Sequence, residues 1–167
     1  MAGAFRIEVL GAEHDRKAFS CGIEPLDRYF REQATQDIRR RFSACYVAVD
    51  TATAAVAGYY TLAAGGVPLA EMPAQLAKRL PRYGSVPVVR MGRLAVDQRY
   101  QGEKLGAALL WDAVLRASRS EIAAFALVVD AKNDKAAAFY RHHGFVTLDE
   151  AERRWMLPLA HASGKSS

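Results

Sequence analysis

The stretch that decides the fold is Val86–Ala107, VPVVRMGRLAVDQRYQGEKLGA. It opens with a β-like apolar run, Val86–Val96, which Arg90 and Arg93 interrupt, and it passes through a polar turn into an apolar helix that starts near Leu105. The first N–H groups of a helix have no partner within the helix, and the positive end of the helix dipole lies beside them. A strand, a glycine-bearing turn and a helix N-terminus therefore predict an anion site, with an ordinary strand-to-helix turn as the alternative.

The sequence before this stretch predicts a meander of strands interrupted by one helix. Phe5–Leu10 alternates as a strand does, and Ser43–Asp50 with Val56–Ala63 forms a predicted hairpin, whose second strand is ended by Gly65-Gly66 and Pro68. Between them, apolar residues from Leu26 to Phe42 recur at helical spacing. The other face of this helix is basic, which is typical of a surface helix and also of a nucleic-acid contact; its arginines are Arg28, Arg31, Arg39 and Arg40.

The sequence after the opening strand alternates helices with strands. Because strands meander in the first half and helices and strands alternate in the second, we expect an α/β fold with a mixed, mostly antiparallel sheet and helices on both faces. Ala124–Val129 is apolar throughout, as in a central strand covered on both faces. The other predicted elements are helices at Glu71–Leu80, Leu105–Ala117 and Asp134–His142, the last with Gly144 as its C′ residue, and strands at Phe145–Leu148 and Arg154–Leu159.

Length and composition predict one globular domain over residues 1–161 and a disordered tail over 162–167. The formal charge of +5 suits an anionic partner such as RNA or a phosphorylated cofactor, or is a solvated basic surface. Two cysteines and four histidines show no disulfide framework and no metal-ligand spacing, so we expect no metal. The sequence has no signal-like start and no membrane-length apolar run, and these absences predict a cytoplasmic protein with no membrane contact.

Two further groups of residues are candidates for chemistry. Asn133 and Tyr140 share one face of the helix Asp134–His142, and small alanines between them leave room for a ligand; the alternative for Tyr140 is a core or boundary tyrosine. Arg90 and Arg93 lie in an apolar strand, where a charge is unfavourable unless it reaches solvent or a partner, so we expect them to reach a cleft.

These segments resemble the core of the GNAT-type N-acetyltransferases. Arg99–Lys104, followed by Leu105-Gly106, is similar to the family's R/Q-x-x-G-x-G/A signature. This chain departs from the signature at Lys104, where the family usually has Gly or Ala. The late N…A-x-x-F-Y-x-x-x-G-F element matches Asn133, Ala136, Phe139, Tyr140, Gly144 and Phe145. The resemblance runs from about Arg6 to Leu159 and implies a single-domain GNAT fold and acetyl-CoA as co-substrate.

A narrower resemblance links the chain to the acetyltransferase toxins of toxin–antitoxin pairs. It is carried by FSCGIEPLDRYFREQATQD, VAGYYTLA and GRLAVDQRYQG. This resemblance implies acetylation of the α-amine of aminoacyl-tRNA and thereby inhibition of translation. It also implies a homodimer and neutralisation by a ribbon-helix-helix antitoxin.

The resemblance also implies roles for individual residues. The pyrophosphate would lie on the amides from Gln101 to Gly106 (Gln101, Gly102, Glu103, Lys104, Leu105 and Gly106), and the pantetheine would pair with Leu94, Ala95 and Val96 like an added strand. Asn133 and Phe139 would belong to the same cofactor site, and Tyr140 would protonate the leaving thiolate. Phosphates of tRNA would be bound by the basic clusters, for which we name Arg39, Arg40, Lys78, Arg79, Arg90 and Arg93.

Two other functions stay open from the sequence. A GNAT enzyme acting on a protein or small-molecule amine would have a cleft lined with carboxylates, and the arginines near the opening strand argue against it. A non-catalytic acyl-CoA- or RNA-binding module is favoured by Lys104 in the phosphate loop and disfavoured by Tyr140.

Overall fold

The computed structural model describes residues 4–160 as seven strands and five α-helices with two short 3₁₀ turns. The strands are β1 (Phe5–Val9), β2 (Ala44–Asp50), β3 (Val56–Pro68), β4 (Ser85–Val96), β5 (Ala126–Asp130), β6 (Val146–Asp149) and β7 (Arg154–Pro158). The helices are α1 (Glu24–Glu32), α2 (Ala34–Arg39), α3 (Ala74–Ala77), α4 (Leu105–Arg119) and α5 (Asp134–His142), and the 3₁₀ turns are Leu69–Glu71 and Gln98–Tyr100.

The strands are hydrogen-bonded in the order β1-β2-β3-β4-β5-β7-β6. Antiparallel pairs join β1 to β2, β2 to β3, β5 to β7 and β6 to β7. The pair β4–β5 is parallel, and its register runs from Val88 opposite Ala126 to Met91 opposite Val129. The mixed, mostly antiparallel sheet expected from the sequence is therefore confirmed.

One compact unit contains the residues up to Ala63 together with Gly92–Ala113. Its core packs α1 against β2 and β3 through aromatic rings. Phe30 stacks on Tyr59 with ring centroids 4.3 Å apart, and both are fully buried. The Tyr59 hydroxyl donates to the Leu26 carbonyl oxygen at 2.7 Å, so its one polar atom is satisfied inside the core.

The second compact unit contains Ala64–Met91 and the residues from Val114 onward. β5 lies in its core: Ala126, Leu127, Val128 and Val129 are at most 1% exposed, as the continuous apolar run predicted. Val67, Val88 and Met156 pack around the same strand.

Three predicted elements have different bounds in the structure. The helix predicted from Leu26 to Phe42 breaks at Gln33 (φ −120°, ψ −24°) into α1 and α2, and Phe42 is 74% exposed rather than on the apolar face. β3 extends beyond the predicted Ala63 and ends at Pro68, so Gly65 and Gly66 lie within the strand. A Cβ at Gly65 would lie 2.8 Å from the Arg90 side chain, so this glycine allows close packing there. The helix predicted over Glu71–Leu80 is reduced to α3, because Pro73 precedes it in an extended conformation.

The remaining elements agree with the sequence. α5 begins and ends at the predicted residues, and Gly144 takes the left-handed conformation (φ +91°) of a helix C′ position. No helix among residues 4–160 is long and apolar enough to cross a membrane. The predicted tail over 162–167 lies outside the described residues.

Candidate active site

The turn that follows β4 is built around a buried carboxylate, Asp97. Asp97 is 2% exposed and accepts the backbone N–H groups of Ser20 (3.0 Å) and Arg99 (2.9 Å). The Arg99 guanidinium adds a bidentate contact to the Asp97 carboxylate, with Nε at 2.9 Å from one oxygen and a terminal nitrogen at 3.1 Å from the other. One side chain thus fixes the start of the turn and ties it to the segment that precedes α1.

Burial would by itself raise the pKa of Asp97. The hydrogen bonds from Arg99 and from the Ser20 amide favour the ionised form and outweigh burial, so the net pKa lies below its ordinary value of 3.8. Asp97 is therefore charged at neutral pH, and its charge is matched by the guanidinium that it orients.

The turn then alternates between ordinary and left-handed backbone before α4 begins. Gly102 has φ +89° and Lys104 has φ +63°. The Ala108 N–H donates to the Lys104 carbonyl oxygen at 3.2 Å, so helical bonding starts there. The amides of Leu105, Gly106 and Ala107 consequently have no acceptor within the helix, which is the arrangement that binds an anion.

The family's glycine at the position of Lys104 now has a physical explanation. The left-handed region suits glycine and is unfavourable for a residue with a Cβ by roughly 1–2 kcal/mol. Lys104 is exposed, so its ammonium group lies in solvent at the start of the helix. The lysine therefore keeps the loop conformation, strains it slightly and adds one positive charge.

Lys104→Gly is expected to raise the free energy of unfolding by up to about 1 kcal/mol, because the strain removed exceeds the extra entropy that glycine loses on folding. It is also expected to weaken acetyl-CoA binding several-fold, because one cation is lost. Urea denaturation and isothermal titration with acetyl-CoA measure the two effects, and Lys104→Met, which removes the charge and keeps the strain, is the matched control. A drop in stability for the glycine variant would contradict this account.

The side chain of Gln101 has a role that the sequence did not reveal. Its Nε2 donates to the carbonyl oxygens of Val96 (2.9 Å) and Cys21 (3.2 Å). Gln101 thus holds the end of β4 against the segment before α1. One of the three residues that we expected to pair with pantetheine therefore has its carbonyl already engaged by the loop.

In the second unit, α5 places the two other residues of the family motif. The Asn133 side chain accepts the Ala136 N–H at 2.8 Å, so Asn133 is the N-cap of α5. Tyr140 lies in the last turn, 6% exposed, with its ring 5.4 Å from that of Phe139 and 5.5 Å from that of Phe145. Both positions are thus fixed by the helix itself.

Burial raises the pKa of Tyr140 strongly, and the negative charge of Asp130 raises it further. The phenol therefore stays protonated throughout the physiological range. Such a group can donate a hydrogen bond or a proton and cannot act as a base.

Arg90 forms an ion pair with Asp130. A terminal nitrogen of Arg90 lies 3.1 Å from one Asp130 oxygen, and Arg154 Nε lies 2.9 Å from the other. Asp130 is the last residue of β5, and its side chain is 47% exposed. Two guanidinium groups therefore flank one carboxylate beside Tyr140, and Asp130 and Arg154 were not among the residues we named from the sequence.

Arg93 lies in the first unit, over an aromatic ring. Its guanidinium carbon is 3.5 Å from the centroid of Tyr29, whose hydroxyl donates to Asp37 at 2.7 Å. Burial, followed by the bond to Asp37, raises the pKa of Tyr29 to about 12. The other basic residues that we named, Arg39, Arg40, Lys78 and Arg79, are exposed.

The missed residues share a recognisable position in sequence. Asp97 comes directly after β4, and Asp130 is the last residue of β5. A carboxylate at the carboxyl end of a buried strand is a signal that could have found both.

One group of three possible metal ligands exists among residues 4–160, and hydrogen bonds account for it. His14 Nε2 lies 2.6 Å from a Glu8 carboxylate oxygen and 3.8 Å from one of Glu13. The other ring nitrogen of His14 accepts the Gly11 N–H at 2.9 Å. The group therefore needs no ion to satisfy its polar atoms.

Comparison with known families tests the fold expected from the sequence. The model of the acetyltransferase (GNAT) family matches residues 12–145, which include the loop after β4, Asn133 and Tyr140. The chain belongs to the GNAT acetyltransferase family. The GNAT fold expected from the two motifs is thus confirmed.

Relatives of this GNAT chain include toxins. A tRNA-acetylating toxin of Mycobacterium tuberculosis (strain ATCC 25618 / H37Rv) is 38% identical over 133 residues, which is 78% of each chain. The structure of AtaT complexed with acetyl-methionyl-tRNAfMet superposes with a TM-score of 0.89 at 29% identity, covering 98% of this chain and 100% of that one. A mutant AtaT toxin bound to the C-terminus of the antitoxin AtaR and to acetyl-CoA gives a TM-score of 0.81 at 25% identity, covering 98% of each chain.

Proposed function

We propose that the protein is a toxin-type N-acetyltransferase that moves an acetyl group from acetyl-CoA to the α-amine of aminoacyl-tRNA and so inhibits translation. The observation that carries this proposal is that a chain 38% identical to a tRNA-acetylating toxin has a loop before α4 with left-handed backbone at Gly102 and Lys104 and also has a buried Tyr140. Left-handed backbone in the loop and the N-terminal amides of α4, where helical bonding starts at Lys104, support acetyl-CoA as the donor.

The chemistry needs little beyond positioning and one proton donor. The amine nitrogen bonds to the acetyl carbon, the carbon–sulfur bond breaks, and the thiolate of coenzyme A takes a proton. An α-amine with a pKa near 8 is partly neutral at pH 7, and after it attacks the acetyl carbon its nitrogen releases one proton to solvent, so a strong base is dispensable. Tyr140 remains protonated and is the proposed donor to the thiolate.

Each part of the cofactor site has a proposed contact. The amides from Gln101 to Gly106 would hold the pyrophosphate, because they lie at the N-terminus of α4, where anions are favoured. Main-chain groups of Leu94 and Ala95 would bind pantetheine. Val96 offers less, because its carbonyl accepts from Gln101. Asn133 and Phe139 would contribute through the fixed start and end of α5.

The test uses acetyl-CoA carrying a labelled acetyl group and two samples of bulk tRNA. One sample is charged with amino acids, and the other has been deacylated by mild alkali. We expect label only in the charged sample. Label in both samples would place the acetyl group on a base, and label in neither, with transfer to peptides or polyamines, would favour the protein or small-amine alternative.

Salt is expected to lower the activity on charged tRNA steeply, because each phosphate contact made by lysine or arginine releases counterions. With three or more such contacts, kcat/KM should fall more than tenfold between roughly 50 and 200 mM salt. Initial rates with charged tRNA and with a small amine acceptor, measured across that range, give the comparison. A flat response with tRNA would exclude the proposed basic contacts, Arg39, Arg40, Lys78, Arg79, Arg90 and Arg93.

We also propose the partners that this function requires. An antitoxin is supported by the AtaT neighbour bound to AtaR, and a ribbon-helix-helix type and a homodimer follow from the toxin resemblance. We propose a cytoplasmic location as well, because the proposed substrate, charged tRNA, is cytoplasmic. Size-exclusion chromatography with light scattering would distinguish dimer from monomer.

A further inference from the structure

The end of α2 carries two residues that the fold itself does not favour. Arg41 is in the left-handed region (φ +61°), and Phe42 exposes 74% of its surface. The Phe42 N–H donates to the Asp37 carbonyl oxygen at 2.9 Å, and the Arg41 N–H donates to that of Ile38 at 3.1 Å. These two bonds form a Schellman cap, in which the position of Arg41 is usually glycine.

The apolar residue that follows such a cap usually packs on the preceding turn. Phe42 does not, because the turn offers Gln36 and Asp37, both polar. The chain therefore tolerates a strained arginine and an exposed aromatic ring side by side, on a backbone that two hydrogen bonds hold in place. Backbone strain of this kind is often found at ligand-binding sites.

The charges beside the ring indicate the class of ligand. Arg39, Arg40 and Arg41 are consecutive and exposed, and within the described part of the chain none of them is ion-paired. On α1, by contrast, Arg28 and Arg31 lie 3.7 and 3.6 Å from Glu24. Three unmatched guanidinium groups next to an exposed aromatic ring are the combination that binds single-stranded nucleic acid, because phosphates meet the charges and a base stacks on the ring.

We propose that Arg39, Arg40, Arg41 and Phe42, which we call the α2 tip, bind unpaired nucleotides of the tRNA substrate, with one base stacked on Phe42. The inference rests on the proposed function and adds to it a stacking contact that charge alone does not provide. A base inside a duplex has no free face, so the α2 tip selects unpaired nucleotides.

The first experiment measures tRNA binding by fluorescence anisotropy for wild type and Phe42→Ala. We expect binding about tenfold weaker in the variant, which corresponds to about 1.4 kcal/mol and lies within the range for loss of one base stack. Phe42→Trp is expected to restore affinity, and Phe42→Leu is not. Ile122→Ala, at a residue that is 83% exposed and flanked by Glu121, is the matched control and is expected to bind like wild type.

Competition with two RNA probes separates stacking from charge. A single-stranded oligonucleotide should displace tRNA well from wild type and poorly from Phe42→Ala, whereas a blunt duplex should compete equally with both proteins. If Phe42→Ala weakens competition by the single strand and by the duplex equally, the α2 tip acts only through its charges and the stacking proposal is overturned. Unchanged RNA binding with weakened binding of a polyglutamate peptide would assign the surface to an acidic protein partner and overturn it as well.

Arg41→Gly separates a role of Arg41 in binding from a role in stability. Glycine relieves the strain at φ +61°, so we expect a higher melting temperature together with several-fold weaker tRNA binding. Acetyl transfer to charged tRNA by wild type is measured in parallel. Absent transfer refutes the proposed function, whereas normal transfer with tRNA binding unchanged in Phe42→Ala and Arg41→Gly refutes only the α2 tip.

Discussion

Tyr140→Phe is expected to retain the fold and the affinity for acetyl-CoA while lowering the rate of acetyl transfer about 100-fold or more. Tyr140 is 6% exposed and its pKa is raised by burial and by Asp130, so the phenol is protonated at every physiological pH, as the proposed donor must be. Positioned acid catalysis of this kind contributes roughly 10²–10⁴-fold. Single-turnover rates with charged tRNA measure the chemical step, and titration calorimetry measures binding.

The control for this prediction is Tyr83→Phe, which removes a hydroxyl from an exposed tyrosine. It should leave the rate, the melting temperature and acetyl-CoA affinity unchanged. A Tyr140→Phe enzyme with wild-type turnover would remove Tyr140 from the proton transfer, and a loss of acetyl-CoA affinity equal to the loss of rate would make it a binding residue.

Asp97→Ala is expected to lower the free energy of unfolding by about 2–4 kcal/mol, because two backbone N–H groups lose their acceptor. The Ser20 and Arg99 amides are those donors, and the Arg99 guanidinium is released at the same time. The loop that follows then loses its fixed start, so KM for acetyl-CoA should rise about tenfold with a smaller effect on kcat. Urea denaturation and steady-state kinetics measure the two effects.

Asp97→Asn tests the charge at that position through pH. The folded pKa lies below 3.8, so the ionised form stabilises the fold at pH values above the unfolded pKa, and this stabilisation is lost as pH falls below about 4. The difference in stability between wild type and Asp97→Asn should therefore be largest near pH 7 and shrink towards pH 3. A difference that is constant with pH would show that geometry, not charge, is what Asp97 contributes.

Much of the fold could be predicted from the sequence because most strands are strongly patterned. The apolar run of β5 and the capped helix α5 are specified by their own residues, Asn133 at one end and Gly144 at the other. The predictions failed where distant residues decide the structure. β3 continues past Gly65, and a Cβ at that glycine would lie 2.8 Å from the Arg90 side chain, a contact that no local pattern reveals.

The candidate site also contains residues that the sequence reveals and residues that only the structure reveals. The loop that we propose for phosphate binding and Tyr140 are visible as motifs, because glycines and a helix start have a fixed order along the chain. Asp97, Asp130 and the side chain of Gln101 act across the fold, on Ser20, Arg154 and Cys21 respectively, so their partners become known only with the structure. Lys104 was an anomaly of unknown effect, and its φ of +63° explains both why the family prefers glycine there and why lysine is still accepted.

The most direct test of the central claim is the position of the acetyl group on the product. Charged tRNA is incubated with wild-type protein and acetyl-CoA, digested with a nuclease, and the aminoacyl-adenosine fragments are analysed by mass spectrometry. We predict one acetyl group on the α-amine of the amino acid, and none after reaction with Tyr140→Phe over the same short time. An acetyl group on a nucleobase, or unmodified aminoacyl-adenosine from the wild-type reaction, would contradict the proposed function.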